Sequence, residues 1–309
     1  MTIKTLSIYF LCLMLLLTSA AQAQTAPNIA VLNSYDTPAS AALLNGFRSY
    51  LEQQGIKAEL AIHSLESSEE KSSSVLAQLQ ETKPDLVLAL GSLALKSAGE
   101  QLTETPVIAS MVINKADFEK YKNVSGVALG FPLKEQVAWL RKILPKARDI
   151  GVIYSSKGNE TDMAKASILL KRNGLVLLQK KISTPTELMP SLKQFRNSVD
   201  AIWGVSDAMV LNSKTAQSLL LFSLRQRIPF VGLSKAWVKA GALYALERNY
   251  FDIGQQCAEI AKQSLAGKDV GNIEVMTPRK IGYSLNLKIA EKIKVKLSQE
   301  IISGAESKF

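Results

Sequence analysis

Asn28-Ile-Ala-Val-Leu-Asn-Ser34 returns later in the chain as Asp149-Ile-Gly-Val-Ile-Tyr-Ser155, and that recurrence decides the fold. Two more segments recur behind it in the same order. Asp85-Leu-Val-Leu-Ala-Leu-Gly-Ser92 is matched by Asp200-Ala-Ile-Trp-Gly-Val-Ser-Asp207, and Thr105-Pro-Val-Ile-Ala-Ser-Met-Val112 by Ile228-Pro-Phe-Val-Gly-Leu-Ser-Lys235. The offsets, taken from Asn28, Asp85 and Pro106, are 121, 115 and 123 residues. Each segment is a short apolar run that ends in polar residues, as a strand covered on both faces of a parallel sheet does. The chain therefore reads as two similar α/β lobes with a cleft between them, and such clefts commonly take small molecules.

Helical periods fill the gaps between these strands. Ala41, Leu44, Phe47 and Leu51 share one face of a helix over 38–54, which Gly55 ends. Ser67, followed three residues later by Glu70, marks a second helix start. Further strands are expected at Lys57–Leu65, Val124–Leu129, Leu175–Ile182, Ala242–Leu246 and Ile273–Met276. Helices are expected after Pro132, at about 159–173, 185–197 and 208–226, at Tyr250–Ala266 and at Leu287–Ile302. Strand and helix alternate throughout, which predicts parallel sheets with helices on both faces. No low-complexity linker separates the halves, which suits lobes joined by several crossing strands.

The first residues stand apart. Lys4 precedes an apolar run from Leu6 to Leu17, and Ala21-Gln22-Ala23 offers small residues for cleavage, so residues 1–23 read as a secretory signal peptide. Cys12 lies inside the apolar run and not after it, which argues against a lipid anchor. Loss of the leader leaves Cys257 as the one cysteine, read as a small core residue on a helix, so no internal disulfide is expected. The formal charge is +10, with acidic and basic residues mixed along the chain. The densest basic stretch, Lys288 to Lys296, reads as a solvated helix face, and no nucleic-acid partner is expected.

Catalytic equipment is sparse. His63 is the single histidine. No Gly-x-Ser-x-Gly elbow, Walker loop or His/Cys metal cluster occurs in the sequence. No catalytic residue, metal or cofactor is assigned. Binding groups are easier to find, because ligands of parallel sheets sit beyond the carboxyl ends of the strands. In the first lobe those ends carry Asn33, Ser34, Tyr35 and Asp36, then Gly91 and Ser92, then Ser110 and Asn114. In the second they carry Tyr154, Ser155, Ser156 and Asn159, then Ser206 and Asp207, then Ser234 and Lys235. Gly91-Ser92 is either a carboxylate-binding helix start or an ordinary cap. Asp207 either meets a ligand ammonium group or caps a helix from Ala208. Tyr35 and Tyr154 could stack on a ligand, and Trp203 reads as core.

Three longer stretches carry a family likeness: Pro132 to Tyr154, Gly241-Ala-Leu-Tyr-Ala-Leu-Glu-Arg-Asn-Tyr-Phe-Asp-Ile-Gly254, and Thr277-Pro-Arg-Lys-Ile-Gly-Tyr-Ser-Leu-Asn-Leu-Lys-Ile-Ala290. In their order and spacing the chain resembles the type 1 periplasmic binding-protein superfamily, and within it the substrate-binding proteins related to the tryptophan/tyrosine uptake component of ABC transporters. The resemblance implies two Rossmann-like lobes joined by a three-segment hinge. Residues 28–131 with about 250–272 would form the first lobe, and 132–247 with about 278–305 the second. It implies a periplasmic, monomeric, non-enzymatic protein that closes on a small, amino-acid-like carboxylated solute. Its partner would be an ABC permease or, alternatively, a membrane receptor or sensor kinase. Lys235 stands where relatives often carry acidic residues, and a cation there would favour an extra negative group on the ligand.

Overall fold

The computed structural model describes residues 26–155 and 160–309. The expected signal peptide, Ser156 and Asn159 lie outside the described residues. Two sheets organise the chain. The first has five strands in the order β2-β1-β3-β4-β5, all parallel: β1 Asn28–Asn33, β2 Glu59–Ser64, β3 Leu86–Leu90, β4 Val107–Ser110 and β5 Val124–Gly126. The second has seven strands in the order β12-β11-β10-β9-β8-β6-β7. They are β6 Asp149–Ser155, β7 Val176–Ile182, β8 Ala201–Trp203, β9 Phe230–Val231, β10 Tyr244–Arg248, β11 Ile281–Leu285 and β12 Ser307–Lys308, with β11 antiparallel to β10.

The helices follow the strands. Around the first sheet lie α1 Pro38–Gln53, α2 Glu69–Thr82 and α3 Ser92–Gln101. Around the second lie α4 Leu133–Ile143, α5 Glu160–Arg172, α6 Leu188–Lys193, α7 Ser213–Gln226 and α8 Lys235–Ala240, with α10 Leu287–Lys292 and α11 Gln299–Gly304 in the tail. α9, Tyr250–Leu265, leaves the second sheet and returns to cover the first.

That return rests on two glycines. A Cβ on Gly46 of α1 would fall 1.9 Å from the Phe251 carbonyl, and one on Gly254 of α9 would fall 1.9 Å from the Leu43 carbonyl. The two helix backbones therefore touch, and Ile253, Cys257 and Ile260 reach Ile29, Val31 and Phe47 in one core cluster. This close approach also turns α1 slightly from its expected face: Ser40, Leu43, Gly46, Phe47 and Leu51 are buried, while Ala41 is exposed. Each fully buried Leu, Val or Ile adds about 1.5–3 kcal/mol. Burial holds the Cys257 thiol up at about 12, the state of an inert core residue.

Local deviations from the sequence pattern have local causes. Ser68, not Ser67, caps α2, because Ser67 itself sits at φ 57. The expected strand 273–276 is reduced to one bridge, Met276 to Val127, since Val270–Asn272 forms a 3-10 turn. The expected helix 287–302 is two short helices, broken where Lys294 adopts φ 62. The residues Ile281–Leu285, read only as tail, form a strand.

Three segments join the sheets: the stretch after β5, the end of β10, and residues 276–280 before β11. They are fastened to one another. Met276 N donates to Gly126 O (2.8 Å) and Ala128 N to Met276 O (2.9 Å). Arg248 Nε donates to Leu129 O at 2.7 Å. The third segment is clasped to α9, where Arg279 and Lys280 both pair with the buried Asp252 carboxylate at 3.0 and 2.9 Å.

Candidate functional site

The carboxyl edge of the first sheet is closed by its own hydrogen bonds. Ser34 N donates to Leu90 O and Gly91 N to Ser110 O, each at 2.8 Å. The Ser34 hydroxyl accepts from Ala94 N at 3.0 Å and so caps α3 from the neighbouring strand. Gly91 is required for this: its φ is +98, and a Cβ there would lie 2.6 Å from Ser34 Oγ. One of the free amides expected at the start of α3 is thus already occupied. Ser110 is fully buried and donates to Val127 O at 3.0 Å. Asn33 donates to Asp36 at 2.6 Å, and Asp36 also accepts from Ser64 at 2.8 Å. Tyr35, Asp36 and Ser92 remain exposed on this rim.

The second sheet presents a different edge. Asp207 is buried and ties two loops together. Its carboxylate accepts from Ser155 N (2.7 Å), Met209 N (3.0 Å) and Val210 N (3.3 Å). It does not cap a helix at Ala208, because α7 starts at Ser213 under Asn212. Ser155 is buried, and Tyr154 packs with Val152 and Met163 rather than projecting as a stacking ring. Ser206 is exposed. Ser234 is half-buried at the start of α8 and Lys235 is exposed.

Between the sheets lies a cavity of about 390 Å³. Ile113, Asn114 and Lys115 line it from the first sheet's side; Trp203, Gly204, Val205, Ser206, Gly232, Leu233, Asp162 and Met163 line it from the second. Its floor is made by the crossing segments, with Phe131, Gln136, Tyr244, Arg248 and Thr277. Of the expected site residues, Ser206 and Asn114 line this space. Trp203, read as core, is both: it is 4 % exposed and faces the cavity. Asn33, Ser34, Tyr35, Gly91, Ser92, Ser110, Tyr154, Ser155, Asp207, Ser234 and Lys235 are not among its lining residues. Met111, at φ 62 just before Ile113, is a non-glycine residue in the left-handed region and turns the chain from β4 into the cavity wall.

Arg248 and Tyr244 are the groups that sequence reasoning missed. Both belong to β10, and Tyr244 lies two residues inside the strand's expected bounds. The Arg248 guanidinium stands 4.4 Å from the centroid of the Phe131 ring. Burial lowers its pKa below the ordinary arginine value, against Tyr250 and Glu247, which raise it. It stays a cation, held by Leu129 O and the Phe131 face. Burial raises the Tyr244 phenol well above its ordinary value, so it is a neutral donor. Among the described residues its hydroxyl has no hydrogen-bond partner. The signal for Arg248 was present: an arginine just past the apolar run Ala242–Leu246, where the chain passes towards the helix expected at Tyr250. Among the described residues no group of three or more His, Cys, Asp or Glu is placed to hold a metal.

Comparison with known families matches residues 28–308 to the family described as ABC transporter substrate binding protein. A tyrosine-binding protein of Clostridioides difficile (strain R20291) is 23 % identical over 263 residues, covering 81 % of this chain and 76 % of that protein. Among solved structures, an ABC domain from Streptococcus pneumonia in complex with L-Trp is 20 % identical with a TM-score of 0.64, covering 92 % of this chain and all of that one. The ligand-free, open structure of a substrate-binding protein with adhesive properties from Clostridium difficile is 21 % identical with a TM-score of 0.76, covering 91 % and 98 %.

Proposed function

Because the chain belongs to the family of ABC transporter substrate-binding proteins, we propose that it is an exported receptor that delivers a small amino-acid-like carboxylate to a membrane permease. Its fold is that of the type 1 periplasmic binding proteins, and both family and fold are those of solute-binding proteins. The observation that carries the ligand class is Arg248: a half-buried cation on the cavity floor, held over Phe131. An ionised carboxylate meeting it gains charge-assisted hydrogen bonds in partly dehydrated surroundings. Tyr244, Asn114, Ser206 and Thr277 supply further polar contacts, and Trp203, Phe131 and Leu233 offer apolar walls. The relatives named for tyrosine and holding L-Trp point to an aromatic amino acid within that class. Lys235, which argued for an extra negative group, is exposed and does not line the cavity, so that argument lapses.

Closure of the two lobes on the ligand is part of this reading. A ligand that touches both lobes favours the state in which both contacts are made. Tyr35 and Ser92, exposed on the first lobe's rim, would reach the ligand in that state. Asp207 is held by backbone amides, so its part is to fix the loop that carries Ser206. The test is calorimetric titration of the protein from Gln24 with the amino acids and with their amides, which lack the carboxylate. A carboxylate-dependent signal is expected for an aromatic amino acid. Arg248→Ala should weaken it about 30-fold or more, the size of a lost charge-assisted pair. Equal binding of acid and amide, or an unchanged affinity in Arg248→Ala, would remove Arg248 from the site. A flat titration across the panel would remove the ligand class.

A further inference from the structure

The two lobes carry opposite charge. Residues 26–131 and 249–276, which build and cover the first sheet, hold 10 Lys and Arg against 16 Asp and Glu, a balance of −6. Residues 132–248 and 277–309, which build the second, hold 26 against 11, a balance of +15. Much of this excess is gathered at one place, the amino edge of the second sheet, opposite the cleft. There α4 ends on Arg141 and Lys142, α5 on Lys171 and Arg172, α6 on Lys193 and α7 on Arg225. Lys146, Arg148 and Arg227 follow in the turns into the strands, and Lys294 and Lys296 come from the tail.

Cations at helix C-termini complement the helix dipole, and that is their ordinary explanation. It does not account for this edge alone, because in the first lobe α1, α2 and α3 carry no basic residue in the last turn and α9 carries only Lys262. Nor are the cations neutralised. Among the described residues Lys142 pairs with Glu300 at 3.3 Å, and the other cations of this edge form no salt bridge. Seven of them rim two adjoining hollows of about 830 and 440 Å³ that share Pro145 and Lys146: Arg141, Arg148 and Lys171 line the first, and Arg227, Lys294 and Lys296 the second. The acidic groups there are Asp149 and Asp200, and Asp200 already accepts from the Arg148 and Asp149 amides at 2.7 and 3.0 Å.

We propose that this edge docks on an anionic phospholipid bilayer surface. A protein partner would want a desolvated core with aromatic anchors. Among the described residues the exposed large aromatic side chains are Tyr35 and Phe251, and both belong to the first lobe. Long, exposed cations spread over a broad edge suit a layer of anionic headgroups instead. The first lobe's negative charge is repelled by the same layer, so the molecule is oriented with its cleft away from the lipid. A receptor held in this way searches for its permease in two dimensions. The inference rests on the proposed export only in that an exported chain meets such a surface beside its permease.

Flotation of the protein from Gln24 with phosphatidylcholine vesicles, with and without phosphatidylglycerol, tests it. Binding is expected to the mixed vesicles alone, and to be lost at 1 M salt, where charges are screened within about 3 Å. Lys146→Ser, Arg148→Ser, Arg227→Ser and Lys296→Ser together should weaken binding about tenfold or more. The matched first-lobe set Arg48→Ser, Lys57→Ser, Lys96→Ser and Lys120→Ser removes the same charge and should leave most of the binding. Failure of the unmodified protein to bind mixed vesicles, equal binding to neutral ones, or equal loss in both variants would overturn the proposal. Capture by polyglutamate without vesicle binding would assign the edge to an acidic protein and also overturn it. Amino-acid affinity, measured on the same samples, should not change. Its absence would sink the solute reading while leaving vesicle binding to stand or fall by itself.

Discussion

The carboxyl edges of the two sheets grew from the same repeated strand but ended differently. In the first lobe the polar residues bond to one another and to their own backbone: Ser34 caps α3, Ser110 holds Val127 O, and the side chains of Asn33 and Ser64 hold that of Asp36. In the second, Ser206 stays open to the cavity, and β10 brings Tyr244 and Arg248 to its floor. A repeat in sequence therefore predicts repeated architecture better than repeated chemistry. A serine after a strand can serve a ligand or the fold, and only its neighbours decide which.

The largest effect expected from disturbing this difference is on the first lobe's seam. Gly254→Ala puts a methyl group 1.9 Å from Leu43 O and 2.8 Å from Phe47 N, both backbone atoms of a packed helix that cannot step aside. Overpacking of that kind costs about 3 kcal/mol. Hydrogen exchange should show α1 and α9 losing protection while the second sheet keeps it. Uniform loss across both lobes would mean that the two do not unfold as separate units.

A paired substitution reaches the comparison itself. Ser34→Ala removes the cap on Ala94 N, and should cost about 1 kcal/mol of stability with little change in affinity. Tyr244→Phe removes a hydroxyl that bonds to nothing among the described residues. It should leave stability nearly unchanged and weaken a bound amino acid by about 1 kcal/mol, some fivefold. Melting curves and titrations of both variants separate these outcomes. The reverse pattern, affinity lost in Ser34→Ala and kept in Tyr244→Phe, would move the site to the first lobe's rim.

The sequence carried the fold well because apolar strands of a parallel sheet are written locally, and their order repeats. The α1–α9 seam was not legible, since it depends on two glycines some 200 residues apart whose meaning appears only when the helices touch. The site was half legible for a similar reason. Strand ends name the edge of each sheet, but the cavity is walled by segments that cross between sheets, and Tyr244 hid inside an apolar run read only as a strand. Charge was the least legible property. Along the chain it looks mixed, because the acidic lobe is built from two stretches that a basic one separates.

The smallest effect concerns Glu247, beside Arg248 on β10, and it probes how dry the hinge is. Partial burial raises its pKa; the hydrogen bond from Ser284 Oγ at 2.8 Å opposes that, and Glu306 adds to it. With a folded pKa above the unfolded one, the carboxyl favours folding fully below the ordinary carboxylate range and loses that contribution as pH rises through its raised value. Glu247→Gln keeps an acceptor for Ser284 and cannot ionise. It should therefore melt slightly higher than the parent at pH 7, by about 0.5 kcal/mol or less, since the half-exposed carboxylate is screened by water. The advantage should shrink to nothing near pH 4. A difference that does not vary with pH would mean that the carboxylate is as well hydrated in the folded hinge as in the unfolded chain, and Arg248 next to it would then have a wetter neighbourhood than the cavity floor implies.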